Sequence, residues 1–125
     1  MKILIIDDSL LDRKLSMNML KKSGVTQEIL QAADGEEGLN VVGRNFREIC
    51  LILLDWQMPK LNGIEFMKAT RNVPEVAGIP IVMITASGSE ENKRMARDVN
   101  PQLAGYLVKP YTPEQLMETI RPHLR

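Results

Sequence analysis

The chain has 125 residues, and its 16 basic and 16 acidic side chains cancel to a formal charge of zero. That length suits a single domain over residues 1–125 whose core needs no disulfide or structural metal, and the cancelled charge supplies no overall field to draw in nucleic acid or an anionic membrane. Cys50, the only cysteine, lies in an apolar run and reads as a small buried hydrophobe, and no stretch suits a signal-peptide core or a membrane span, so a cytoplasmic protein is expected.

Ile3-Leu4-Ile5-Ile6 is continuously apolar, the pattern of a strand buried on both faces, and it ends in Asp7 and Asp8. Ser9 opens a first helix with Leu11, Leu15 and Met19 on one stripe, and Gly24 stands where a left-handed cap is needed. A short strand over Glu28–Ala32 precedes a second helix, with Asp34 and Glu37 at capping-box spacing and Leu39, Val42 and Phe46 facing inward. Cys50–Leu54 reads as the central strand and ends in Asp55. The turn Pro59–Gly63 must then bend the backbone before Asn62 and Glu65 cap a third helix, which points Phe66 and Met67 inward and ends near Arg71.

Pro74, Gly78 and Pro80 punctuate a loop, and Ile81–Ile84 is another apolar run, ending in Thr85. A small polar loop over Ala86–Ser89 leads to a fourth helix, Glu90–Val99, whose apolar anchors are only Met95, Ala96 and Val99, so it should be weakly held. Gly105–Val108 is a fifth strand, closed by Lys109-Pro110, and Thr112, Pro113 and Gln115 cap a last helix striped with Leu116, Ile120 and Leu124. Eight methionines are expected to fill gaps in the core.

Strand and helix alternate five times, which predicts an α/β fold: a parallel sheet with helices on both faces and right-handed crossovers. Parallel strands bring Asp7, Asp8, Asp55, Thr85 and Lys109 to one edge, the carboxyl edge where open α/β sheets bind ligands. Three carboxylates crowded there repel one another, and oxygen-only donors favour Mg²⁺ over zinc as the remedy. Lys109 and the Thr85 hydroxyl suit a tetrahedral oxyanion, as phosphoryl chemistry requires. Each feature alone has an ordinary explanation: Asp8-Ser9 as a helix cap, Thr85 as a strand end, Lys109 as a solvated lysine. Their recurrence after successive strands is not explained that way.

This constellation resembles the receiver domain of two-component response regulators, over the whole chain and closest in extent to the stand-alone chemotaxis-type receivers. The residues that carry the resemblance are Asp7-Asp8, Asp55 with Met58-Pro59 and Gly63, Thr85-Ala86, Tyr106 and Lys109-Pro110. It implies a flavodoxin-like (βα)5 sheet in the order 2-1-3-4-5, with a cis Lys109–Pro110 bond. It further implies that Asp55 is the phosphoacceptor for a histidine kinase or phosphotransfer protein. Asp8, Asp55 and the backbone carbonyl of Gln57 would hold Mg²⁺, with Asp7 acting through water. Lys109 would pair with a phosphoryl oxygen, and Thr85 and Tyr106 would form the switch. The face of the fourth helix, fifth strand and fifth helix (α4-β5-α5) would then meet a downstream protein, with no direct contact to nucleic acid or membrane. Gln57 and Ser87 occupy positions that tune phosphoryl lifetime.

One segment departs from the family pattern: Asp98–Leu103 places Pro101 where small residues and glycine are usual. Three other readings compete. A haloacid-dehalogenase-like phosphohydrolase also uses Asp, Mg²⁺, Thr and Lys, but in an Asp-x-Asp pattern after the first strand. A receiver used only for docking is a second, and a receiver module from a larger DNA-binding regulator a third.

Overall fold

The five expected strands form in a computed structural model that describes residues 1–125: β1 Lys2–Ile6, β2 Glu28–Ala32, β3 Ile49–Asp55, β4 Ile81–Thr85 and β5 Gly105–Val108. All pair in parallel, in the order β2-β1-β3-β4-β5. The expected order is therefore observed, and it puts β3, the most apolar run, in the middle with all seven of its residues buried.

Between the strands lie α1 Leu10–Lys22, α2 Gly35–Asn45, α3 Gly63–Arg71, α4 Glu90–Val99 and α5 Pro113–Ile120. Alternate strand residues point to opposite faces, and the core divides accordingly. Ile3, Ile5, Leu51, Leu53, Val82 and Ile84 pack with Leu20 of α1 and Leu116, Met117 and Ile120 of α5. Leu4, Ile6, Ile52, Leu54 and Met83 pack on the other side with Val41, Val42, Phe66, Met67 and Ala96 from α2, α3 and α4. Cys50 is buried and free, as expected. No helix is long and apolar enough to cross a membrane.

The caps form largely where the sequence places them. Asn62 with Glu65 and Thr112 with Gln115 close full capping boxes, and Gly24 takes φ +90 after α1. At α2 the Asp34 side chain accepts from the Glu37 N–H, so that cap is the one-way kind.

Five expectations need correction, three of packing and two of element bounds. On α1, Leu11 and Leu15 are exposed at 67% and 48%, and the buried residues are Ser16 and Leu20. The polar Ser16 can turn inward because its hydroxyl meets the Tyr111 hydroxyl at 2.6 Å. On α4, Met95 is 44% exposed, leaving Ala96 as the one fully buried residue. On α2, Val41 joins Val42 in the core while Leu39 and Phe46 are only partly buried. The segment read as loop contains a single helical turn, Pro74–Ala77, with proline at its first position, and α5 gives way to a 3₁₀ turn at Arg121–His123 before Leu124.

The Pro101 segment closes α4 with a turn in which Asn100 Oδ1 accepts from the Gln102 N–H. Arg71 donates to the Val99 carbonyl at 2.7 Å, and the Asn100 amide approaches the Met67 sulfur at 3.8 Å, joining the end of α4 to α3.

Candidate functional site

Register alone brings the predicted residues together. Ile6 pairs with Leu54, so Asp7 emerges beside Asp55; Asp55 pairs with Ile84, so Thr85 stands one step beyond it. Thr85 pairs with Val108, and the Lys109 N–H donates to the Thr85 carbonyl at 2.8 Å, which carries the lysine to the same edge.

After Asp55 the backbone folds back on itself. The Gly63 N–H donates to the Trp56 carbonyl at 2.8 Å, and a Cβ on Gly63 would lie 2.7 Å from the Asp55 carbonyl oxygen, so only glycine allows this approach. Lys60 takes φ 68 at the middle of a three-residue turn closed by the Leu61 N–H on the Pro59 carbonyl, at 2.8 Å. The fold-back leaves Asp8, Trp56, Gln57, Met58 and Asn62 around an open polar hollow of ≈ 450 Å³.

Asp7, Asp8 and Asp55 each offer an oxygen within 4.8 Å of the others, with Asp7 and Asp55 buried and Asp8 exposed. Both oxygens of Asp7 are engaged: Oδ1 accepts from the Ser9 N–H and Oδ2 from Lys109, each at 2.9 Å. Burial pushes the Asp55 carboxyl up to about 7, and Asp7 and Asp8 push in the same direction against Lys109 and the Trp56 N–H. Such a cluster lacks positive charge. Its all-oxygen donor set fits a hard divalent cation, Mg²⁺ or Mn²⁺, and gives zinc no nitrogen or sulfur ligand.

Lys109 is the cation of the cleft. It donates to Asp7 and to Asp12 at 2.9 Å each and lies 3.7 Å from Asp55. Burial opposes its charge, but the hydrogen bonds to Asp7 and Asp12 outweigh that and raise its pKa above the ordinary lysine value. Asp12 is the residue that sequence reasoning missed. Its only signal was its place on the first turn of α1, one turn beyond Asp8 and able to face the same edge.

Thr85 is buried, and its hydroxyl accepts from the Ser87 N–H at 3.3 Å, which leaves its proton free to donate. Ser87 is a junction: its carbonyl accepts from the Tyr106 hydroxyl at 2.7 Å, and its side chain accepts from the Asn92 amide at 2.6 Å. Tyr106 is half-buried against the core, with the Lys93 ammonium 5.9 Å from its ring centre. The Lys109–Pro110 peptide is cis, as expected.

The sequence matches the family model described as response regulator receiver domain over residues 3–121. A chemotaxis protein CheY homolog of Campylobacter jejuni is 32% identical over 120 residues, which cover 96% of this chain and 89% of that protein. The chemotaxis response regulator CheY4 of Vibrio cholerae superposes with a TM-score of 0.85 at 35% identity, covering 98% of each chain. Response regulator Rcp1, solved in its Mn²⁺-bound form, gives a TM-score of 0.77 at 25% identity, covering 97% of this chain and 89% of that one.

Proposed function

Because the chain belongs to the response regulator receiver family, we propose that Asp55 accepts a phosphoryl group from the phosphohistidine of a histidine kinase or phosphotransfer protein. The observation that carries this reading is the buried Asp55 at the end of β3, ringed by Asp7, Asp8 and Lys109. An Asp55 oxygen forms a bond to phosphorus as the bond from phosphorus to the histidine nitrogen breaks, and the histidine leaves with its electron pair. Family membership sets aside the haloacid-dehalogenase-like reading. The whole of residues 1–125 is taken as one receiver domain, in agreement with the matched span and the single continuous sheet. A cytoplasmic setting is part of this reading, in keeping with the chain's similarity to the chemotaxis proteins.

Asp8, Asp55 and the Gln57 carbonyl are assigned to Mg²⁺, since Asp8 and Gln57 line one hollow beside Asp55. Asp7 acts through water, as the family resemblance implies, while its oxygens accept from the Ser9 N–H and from Lys109. That response regulator Rcp1 was solved in a Mn²⁺-bound form supports a divalent ion as the cofactor. When bound, the cation neutralises the carboxylates and the charge that develops on the phosphoryl oxygens. Lys109 has three N–H donors, two on Asp7 and Asp12, and turns the third toward a phosphoryl oxygen on Asp55. The Thr85 hydroxyl donates to another. Gln57 and Ser87 flank the line along which water reaches the acyl phosphate and so tune its lifetime.

The output runs through Ser87. A pull on Thr85 shifts the Ser87 N–H that it accepts, and with it the carbonyl that holds Tyr106 and the hydroxyl that holds Asn92 of α4. The altered face of α4, β5 and α5 is then read by another protein, and the chain's zero net charge gives no reason to invoke nucleic acid. The test uses acetyl phosphate with Mg²⁺, with and without EDTA, read by intact mass. One phosphoryl group is expected on the wild type, lost with EDTA and lost in Asp55→Asn; equal labelling of that variant overturns the assignment.

A further inference from the structure

The Lys109 ammonium is divided among three acids, and one of them, Asp12, has no part in the reaction described above. It comes from α1, not from a strand end, and its Oδ2 lies as close to Lys109 as Asp7 does, 2.9 Å in each case. Asp55, the group that Lys109 must serve, is farther away at 3.7 Å. Asp12 is also the most exposed of the three, at 37% of its side chain against 8% for Asp7 and 10% for Asp55. Solvent can therefore reach it, and substitution there leaves no hole in the core.

The charges decide what this contact does. Asp7, Asp8, Asp12 and Asp55 face a single ammonium, and a divalent cation still leaves one negative charge in the cleft. Arg13 donates to the Asp7 backbone carbonyl and the Gln31 side chain and pairs with none of these carboxylates. With Asn at position 12 the cleft would be neutral. A phosphoryl donor arrives as a dianion, so the residual charge repels it, and the lysine that should attract it is partly satisfied by Asp12.

Resting on the receiver reading, we propose that Asp12 is a positioning residue that restrains the reaction: it holds one N–H of Lys109 and adds a negative charge, slowing phosphoryl uptake on Asp55 and loosening the cleft's grip on the tetrahedral group. One unit charge a few ångströms from the phosphorus, in a site open to water, corresponds to a change of roughly three- to tenfold. The same charge favours the metal, so its removal acts in opposite directions on the two ligands.

The experiment compares wild type, Asp12→Asn and Asp12→Glu. Asn is isosteric and keeps an oxygen for Lys109, while Glu keeps the charge. Mg²⁺ binding, followed by Trp56 fluorescence, should weaken in Asp12→Asn, whereas beryllofluoride binding at saturating Mg²⁺ and the rate of labelling by acetyl phosphate should both rise by roughly three- to tenfold. Like charges react faster as salt screens them, so the wild-type labelling rate should climb with ionic strength and that of Asp12→Asn should stay nearly flat. Asp12→Glu should keep the wild-type salt dependence. If Asp12→Asn loses affinity for both ligands, or keeps the wild-type salt slope and beryllofluoride affinity, the restraint is overturned. A wild type that takes up neither beryllofluoride nor a phosphoryl group overturns the receiver chemistry itself, which separates the two failures.

Discussion

Asp55 holds its proton up to about pH 7 because burial and the adjacent Asp7 outweigh the pull of Lys109. In the unfolded chain the same carboxyl would titrate at about 3.9. Between these two values the folded protein binds the extra proton, so its contribution to stability is complete below the unfolded value and disappears as pH rises through about 7. With metal removed by EDTA, the denaturation midpoint should therefore fall between pH 5 and pH 8, and Asp55→Asn should flatten that slope and be the more stable protein at pH 8. A wild-type midpoint that is level across this range would remove the strained carboxyl from the account. Cation binding must also displace the proton, so Mg²⁺ should bind more tightly at pH 8 than at pH 6 in the wild type, as read by Trp56 fluorescence.

At the scale of the element, α1 separates burial from apolarity. Leu20, fully buried between the sheet and α5, should cost about 2–5 kcal/mol when cut to alanine. Leu11→Ser, at 67% exposure, should stay within about 0.5 kcal/mol of wild type in urea denaturation. If the two variants cost the same, the inward face of α1 is misassigned. This helix also marks what the sequence could not convey. Its apolar residues, Leu10, Leu11, Leu15, Met17, Met19 and Leu20, are spread around most of the circumference, so periodicity offers no single side. The buried side carries Leu20 and Ser16, and the Ser16 hydroxyl meets that of Tyr111, a contact between residues 95 positions apart. The strands were easier, because residues buried on both faces leave continuous apolar runs, and the caps of α3 and α5 rest on contacts three residues apart. Asp7, Asp8, Asp55, Thr85 and Lys109 were legible for the same reason: each ends a strand. Asp12 ends no strand; its place on the first turn of α1 was a faint signal, and the folded distance to Lys109 makes it plain.

Over the whole molecule, packing is heaviest on β1, β3 and β4 and thins at both edges, β2 and β5, and it is the β5 edge that the bonds among Thr85, Ser87 and Tyr106 join to the cleft. A phosphoryl signal should therefore travel outward from the cleft in one direction. Beryllofluoride with Mg²⁺ should shift amide signals around Asp55 and across Ser87–Tyr111, and leave the Val41–Asn45 end of α2 unmoved; shifts confined to the cleft would reduce the protein to a phosphate sink. The bond from Arg71 to the Val99 carbonyl fixes how α4 can respond. One end of the helix is fastened to α3, while the other hangs from Ser87 and Ser89, next to Thr85. A rod fixed at one end and pushed at the other is a lever. The ten residues of α4 make an arm of about 15 Å, so a swing of roughly 10° carries Glu90 about 2.5 Å while Val99 barely stirs. Displacement should grow along the helix from Val99 to Glu90, and Arg71→Ala, by removing the fulcrum, should replace that graded swing with broadened signals along the whole of α4.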